Sequence, residues 1–237
     1  MTAVLREIAA GVLAVGFEGT SLDNVLSKRL QRTPLAGVVY FARNIESVEQ
    51  TRELSASVRE LLQRDGAHPI VAIDQEGGRV ARLRNGVEEF PAMMALAATG
   101  DETLAEAAGE QLGFDLRRAG VNVDFAPVLD LARYRANTVI GARSFGDDPR
   151  DVTLVAGAFA KGLERAGVVA TFKHFPGHGS TSVDSHLDLP SIDDNAEVIR
   201  SRDLIPFAAL LPHARAVMTA HIVFNALDKR FPATLSP

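Results

Sequence analysis

The segment Lys173-His174-Phe175-Pro176-Gly177-His178-Gly179-Ser180-Thr181-Ser182-Val183-Asp184-Ser185-His186 sets three histidines, a lysine and an aspartate within fourteen residues. These side chains can bind polar ligands and move protons near neutral pH. Asp184 and His186 stand two apart, so in extended backbone both leave on the same side. The carboxylate could then accept one ring N–H and leave the other nitrogen for proton transfer. The plain alternative is a loop whose polar groups only hold its own backbone. A metal site from His174, His178, His186, Asp184 and Asp188 is a further reading. Its spacing matches no tight ligand pattern, and Lys173 beside it disfavours a cation. Residues 177–181 could bind phosphate, but they lack the full glycine and lysine pattern of a P-loop.

Other candidates lie upstream. In Asp74-Gln75-Glu76-Gly77-Gly78-Arg79-Val80-Ala81-Arg82 the glycine pair permits a tight turn, and Asp74 either meets a ligand or caps backbone N–H groups. Asp124 and Asp130 are six residues apart. They read as an acid/base pair or as a buried acceptor plus a loop residue. Arg143, in Arg143-Ser144-Phe145-Gly146, could clamp a ligand oxygen or serve as an ion-pair residue.

Short apolar, β-branched runs alternate with longer helical patterns, and the candidate groups fall at the ends of the runs. Strands are expected over 12–17, 37–41, 70–74, 121–128, 168–174 and 216–223. Ser47 with Gln50 resembles a capping box that opens a helix toward Arg64. A second helix is expected over 102–119 with Gly120 behind it, and a third from Asp148-Pro149 to Gly167. A shorter one over 197–211 is expected to break near Pro206. Such alternation implies parallel pairing with right-handed crossovers. Six units suit either a (β/α)₈ barrel with its first six units present or a doubly wound open sheet. Polar groups at the ends of four strands favour the barrel, where all those ends meet in one ring.

Composition bounds the function. The 237 residues are 46% hydrophobic, ample for a sizeable core. A net charge of −5 with no long basic block argues against a dedicated nucleic-acid binder. The absence of cysteine removes disulfides and thiolate metal sites. The N-terminus reads as a first strand running within residues 8–17, not as a signal peptide, and no apolar run is long enough for a membrane span. The expectation is a soluble, cytoplasmic protein with one domain over residues 1–237.

Taken together, Asp74–Val80, 122–130, 143–146, 173–186 and Val217-Met218-Thr219-Ala220-His221 resemble the catalytic barrel of family 3 glycoside hydrolases, in its bacterial β-N-acetylglucosaminidase branch. The motifs come in the family's order and cover nearly the whole chain. The resemblance implies a (β/α)₈ TIM-type barrel that removes non-reducing terminal N-acetylglucosamine from peptidoglycan-derived saccharides by a retaining route. It implies His186 as acid/base with Asp184 as its partner, and Asp74, Arg82, Arg143, Lys173 and His174 as the residues that hold the sugar. No metal or organic cofactor is implied, and the partner is a small saccharide, not nucleic acid or membrane. One element departs from the pattern: the family's nucleophilic aspartate sits in a Phe-Ser-Asp-Asp-Leu-like stretch on a seventh strand, and none occurs before Pro237. The expectation is therefore a shortened barrel, inactive for want of its nucleophile. A sugar-binding piece without turnover, and a phosphorylase using phosphate in place of water, are the alternatives.

Overall fold

The computed structural model describes residues 3–33, 35–64, 66, 68–134, 137–181 and 188–237. Six strands form one sheet: β1 (Ala14–Val15), β2 (Gly37–Tyr40), β3 (Ile70–Ile73), β4 (Val123–Asp124), β5 (Val169–Phe175) and β6 (Ala216–Thr219). Each pairs in parallel with the next in sequence. Ala14 faces Gly37, Gly37 faces Ile70, Ala72 faces Val123, Val123 faces Val169 and Thr171 faces Ala216. The order never doubles back, so the reversal that defines a doubly wound sheet is absent among the described strands. Ala14 of the first strand and Ala216 of the last line the same cavity of about 570 Å³, together with Ile70, Val123 and Val169. The sheet is therefore curled into an arc of a (β/α) barrel, as expected.

The period of two along each strand sorts its side chains. Ile70 faces the cavity while Val71 and Ile73 join the hydrophobic core. Likewise Val169 and Thr171 face the cavity while Phe172 joins the core. Asp74 and Lys173 continue the inward series, and so reach the carboxyl-end mouth of the arc.

Helices α1 (Ala3–Ala10), α2 (Asn24–Arg32), α3 (Val48–Leu62), α4 (Glu102–Arg118) and α5 (Pro149–Arg165) follow the crossover pattern. Ser47 Oγ accepts from Gln50 N at 3.1 Å, while Gln50 Oε1 accepts from Glu46 N instead of closing the box on Ser47. Asp148 caps α5 through Arg150 N at 2.7 Å with Pro149 in the first turn, and Gly120 and Gly167 follow α4 and α5 with φ of 79° and 83°. The two helices cross closely. A Cβ on Gly162 would lie 2.0 Å from the carbonyl oxygen of Glu106, so only glycine allows the approach.

Several expected elements are corrected. The start of the run over 8–17 is the end of α1, and β1 keeps only two residues. The strand over 121–128 pairs regularly only at Val123–Asp124, because Pro127 brings no N–H to the ladder, and a single bridge from Val128 to Lys173 follows. The break expected near Pro206 lies earlier: a π-helical turn at Ile199–Asp203 precedes the helix Leu204–Leu210. Pro206 sits in that helix's first turn, where a missing N–H is tolerated. Among the described residues no helix is long and apolar enough to cross a membrane.

Candidate active site

Lys173 is only 1% exposed, and a buried ammonium requires anionic partners. It finds two at the end of β3, with Nζ 3.0 Å from Asp74 Oδ1 and 2.5 Å from Glu76 Oε1. Glu76, equally buried, also takes a bidentate pair from Arg143, with Nε and Nη2 each 2.7 Å from a carboxylate oxygen. Arg82 closes the series at 3.9 Å from the other oxygen of Asp74. Asp74 keeps 22% of its side chain exposed, so it retains lone pairs for a ligand's hydroxyls. Burial by itself would raise the Glu76 carboxyl, but the Lys173 charge and the Arg143 hydrogen bonds outweigh it and hold it at about 2. The Arg143 guanidinium is pushed up despite its burial, by the same Glu76 contact.

Backbone geometry supports this cluster. Gln75–Gly77 pairs with Val80–Ala81 in a small hairpin. The Gln75 side chain ties that hairpin shut, accepting from Arg82 N at 2.7 Å and Leu83 N at 3.0 Å and donating to Leu83 O at 2.7 Å. Arg79 donates to the carbonyls of Thr138 and Val139, both at 2.6 Å, and braces the segment that delivers Arg143.

Beside it stands a second cluster. Asp130 is buried, with Oδ2 2.5 Å from His174 Nδ1, and Oδ1 accepts from His174 N at 3.2 Å and His178 N at 2.6 Å. Burial favours its neutral form, but the His174 and His178 contacts hold the carboxyl below its ordinary value. Burial lowers His178, whose ring packs edge-on against that of His174 at 5.6 Å. Asn137 Nδ2 donates to His178 O at 3.1 Å. A Cβ on Gly179 would lie 1.9 Å from Leu131 O, which explains glycine at that point of the motif. Farther along, Ser180 Oγ accepts from Arg202 Nη2 at 2.7 Å, and Arg202 also pairs with Asp194 and with Asp203.

The structure thus joins four expected residues, Asp74, Arg82, Arg143 and Lys173, into one network, with His174 adjacent on Asp130. Asp184 and His186 lie outside the described residues. Asp124 and Asp130 do not act as a pair. Asp124 is buried with Oδ1 on Gln75 N at 2.9 Å, and burial pushes its carboxyl well above the usual range. Among the described residues no three His, Asp or Glu side chains converge on a metal position. Glu76, the hub of the network, was missed in the sequence. The spacing of Asp74 and Glu76, two apart in extended backbone, was the available signal.

Comparison with known proteins agrees with this geometry. The model of the glycosyl hydrolase family 3 N-terminal domain matches residues 5–237. A beta-hexosaminidase of Pseudomonas aeruginosa is 41% identical over 227 residues, covering 95% of this chain and 67% of that protein. The family 3 beta-N-acetylglucosaminidase of Paenibacillus superposes with a TM-score of 0.93 at 39% identity, over 98% of this chain and 45% of the other. NagZ of Neisseria gonorrhoeae superposes at 0.86 with 34% identity, over 92% of this chain and 65% of the other, and has also been solved with N-trifluoroacetyl-D-glucosamine. The chain spans about two thirds of the curated relative and of NagZ, and under half of the Paenibacillus enzyme. With a family match along almost its whole length and a sheet that superposes on family members, this chain belongs to glycosyl hydrolase family 3.

Proposed function

We propose that this chain serves a β-N-acetylhexosaminidase that removes terminal N-acetylglucosamine from peptidoglycan-derived saccharides in the cytoplasm. The observation that carries the reading is the Arg82–Asp74–Lys173–Glu76–Arg143 network at the mouth of the arc. In it Asp74 accepts from adjacent sugar hydroxyls, while Lys173, Arg82 and Arg143 supply donors. His174 binds a further hydroxyl. His186, oriented by Asp184, protonates the leaving oxygen and later activates water in a retaining, two-step reaction. The names of the relatives support the sugar class.

The test is hydrolysis of 4-nitrophenyl N-acetyl-β-glucosaminide by the 237-residue chain, with N-acetylglucosamine binding measured on the same folded sample. Turnover that His186→Ala abolishes supports the acid/base role of His186 and means that the nucleophile lies within these residues or is donated by a neighbouring chain. Sugar binding without turnover supports the recognition site and assigns the nucleophile to a segment outside these residues. Neither binding nor turnover overturns it.

A further inference from the structure

A carboxylate held by three hydrogen bonds to the end of β5 and the loop after it does more than neutralise charge. Asp130 spends Oδ1 on two backbone N–H groups, from His174 and His178, and offers Oδ2 to the His174 ring at 2.5 Å. Two bonds thus reach the same residue, one to its backbone and one to its ring, which fixes the ring's rotation as well as its position. An ionised carboxylate has no hydrogen to give, so the ring nitrogen that faces it must be the donor. Rotation of Asp130 away from the ring would break the two backbone bonds. Its own backbone is anchored by Ser144 Oγ, which donates to Asp130 O at 2.6 Å. Because the second ring nitrogen of a histidine is set by the bond the first one makes, the pair determines which atom meets a ligand.

We propose that Asp130 is a positioning residue that locks the proton of His174 on Nδ1, so that Nε2 carries the lone pair offered to a saccharide hydroxyl. The ligand half of this rests on the sugar-site reading above; the lock itself does not. His174 keeps 16% of its side chain exposed, so a ligand can reach it, and an acceptor there selects for a group that carries a hydrogen. An analogue with that hydroxyl replaced by fluorine or hydrogen leaves Nε2 unsatisfied.

The experiment is long-range 15N–1H correlation NMR of the 237-residue chain labelled in histidine, at about pH 8, with His174→Gln assigning the signal. The expected ring is protonated on Nδ1, with the Nε2 resonance displaced when N-acetylglucosamine is added. A ring bearing its proton on Nε2 alone overturns the lock directly, without any variant of Asp130. In Asp130→Asn the amide can turn its NH₂ toward Nδ1, so the proton moves to Nε2 and N-acetylglucosamine binding weakens roughly tenfold, about one hydrogen bond. A folded Asp130→Asn that binds as tightly as the parent overturns the positioning role. Absence of sugar binding by the parent overturns the ligand half together with the sugar-site reading, and leaves the tautomer as an independent result.

Discussion

Replacing Glu76 by Gln removes the one charge that both Lys173 and Arg143 face at close range. The carboxyl is held at about 2 in the folded chain against an ordinary 4.5, which corresponds to about 3 kcal/mol of net stabilisation by its ionised form. Because the folded value is the lower one, this contribution is fully present above 4.5 and is lost as pH falls toward 2. At pH 3.5 about 2 kcal/mol of it remains, roughly three fifths. At pH 6 the variant should be less stable by about 3–5 kcal/mol, the cost of leaving a buried pair half broken. Urea unfolding of parent and Glu76→Gln at pH 6 and pH 3.5 measures both quantities. The gap between the two proteins should narrow by about 1.4 kcal/mol at the lower pH, since other groups titrate alike in both. A gap independent of pH, or a variant as stable as the parent, would refute the reasoning that Glu76 is the charged hub.

Two further outcomes follow from packing and from the loop anchor. Gly162→Ala should overpack the α4–α5 crossing, with its new methyl set against Glu106 O, and lower stability by about 1–3 kcal/mol, or roughly 2–4 °C in Tm per kcal/mol. An unchanged melting curve would show that the helices can part without cost. Arg202→Met should release Ser180 together with Asp194 and Asp203, and amide exchange over residues 177–181 should quicken roughly tenfold while α4 and α5 keep their protection. Equal exchange in both proteins would mean that Asp130 and Asn137 hold the segment without help.

Much of the architecture was legible because it depends on local pattern. The alternation of β-branched runs with capped helical stretches identified all six strands approximately, and the ends of α4 and α5 were visible in Gly120, Gly167 and Asp148-Pro149. Where the reading slipped, a non-local term had decided. The apolar residues before β1 read as strand but form the end of α1, because hydrophobicity alone does not separate a short helix from a strand. Regular pairing of β4 stops after two residues, and beyond it, where Pro127 brings no N–H, single bonds to β5 and the Val128–Lys173 bridge take over. The π-helical turn at Ile199–Asp203 has no local signature, yet it is what delivers Arg202 to Ser180.

For the site, residue type and spacing raised Asp74, Arg143, Lys173 and His174 beside plain structural alternatives, and the family resemblance added Arg82 and implied that all five hold the sugar. Which of them touch was decided only by tertiary structure. Glu76 owes its weight to Lys173 and Arg143, distant in sequence, which converge on it. Asp124 and Asp130 looked alike as carboxylates in one motif. One faces Gln75 N and is driven toward its neutral form, while the other faces two histidines and stays ionised. The identity of a carboxylate is written in the sequence, but its protonation depends on the charges within a few ångströms, and those are set only when the sheet curls.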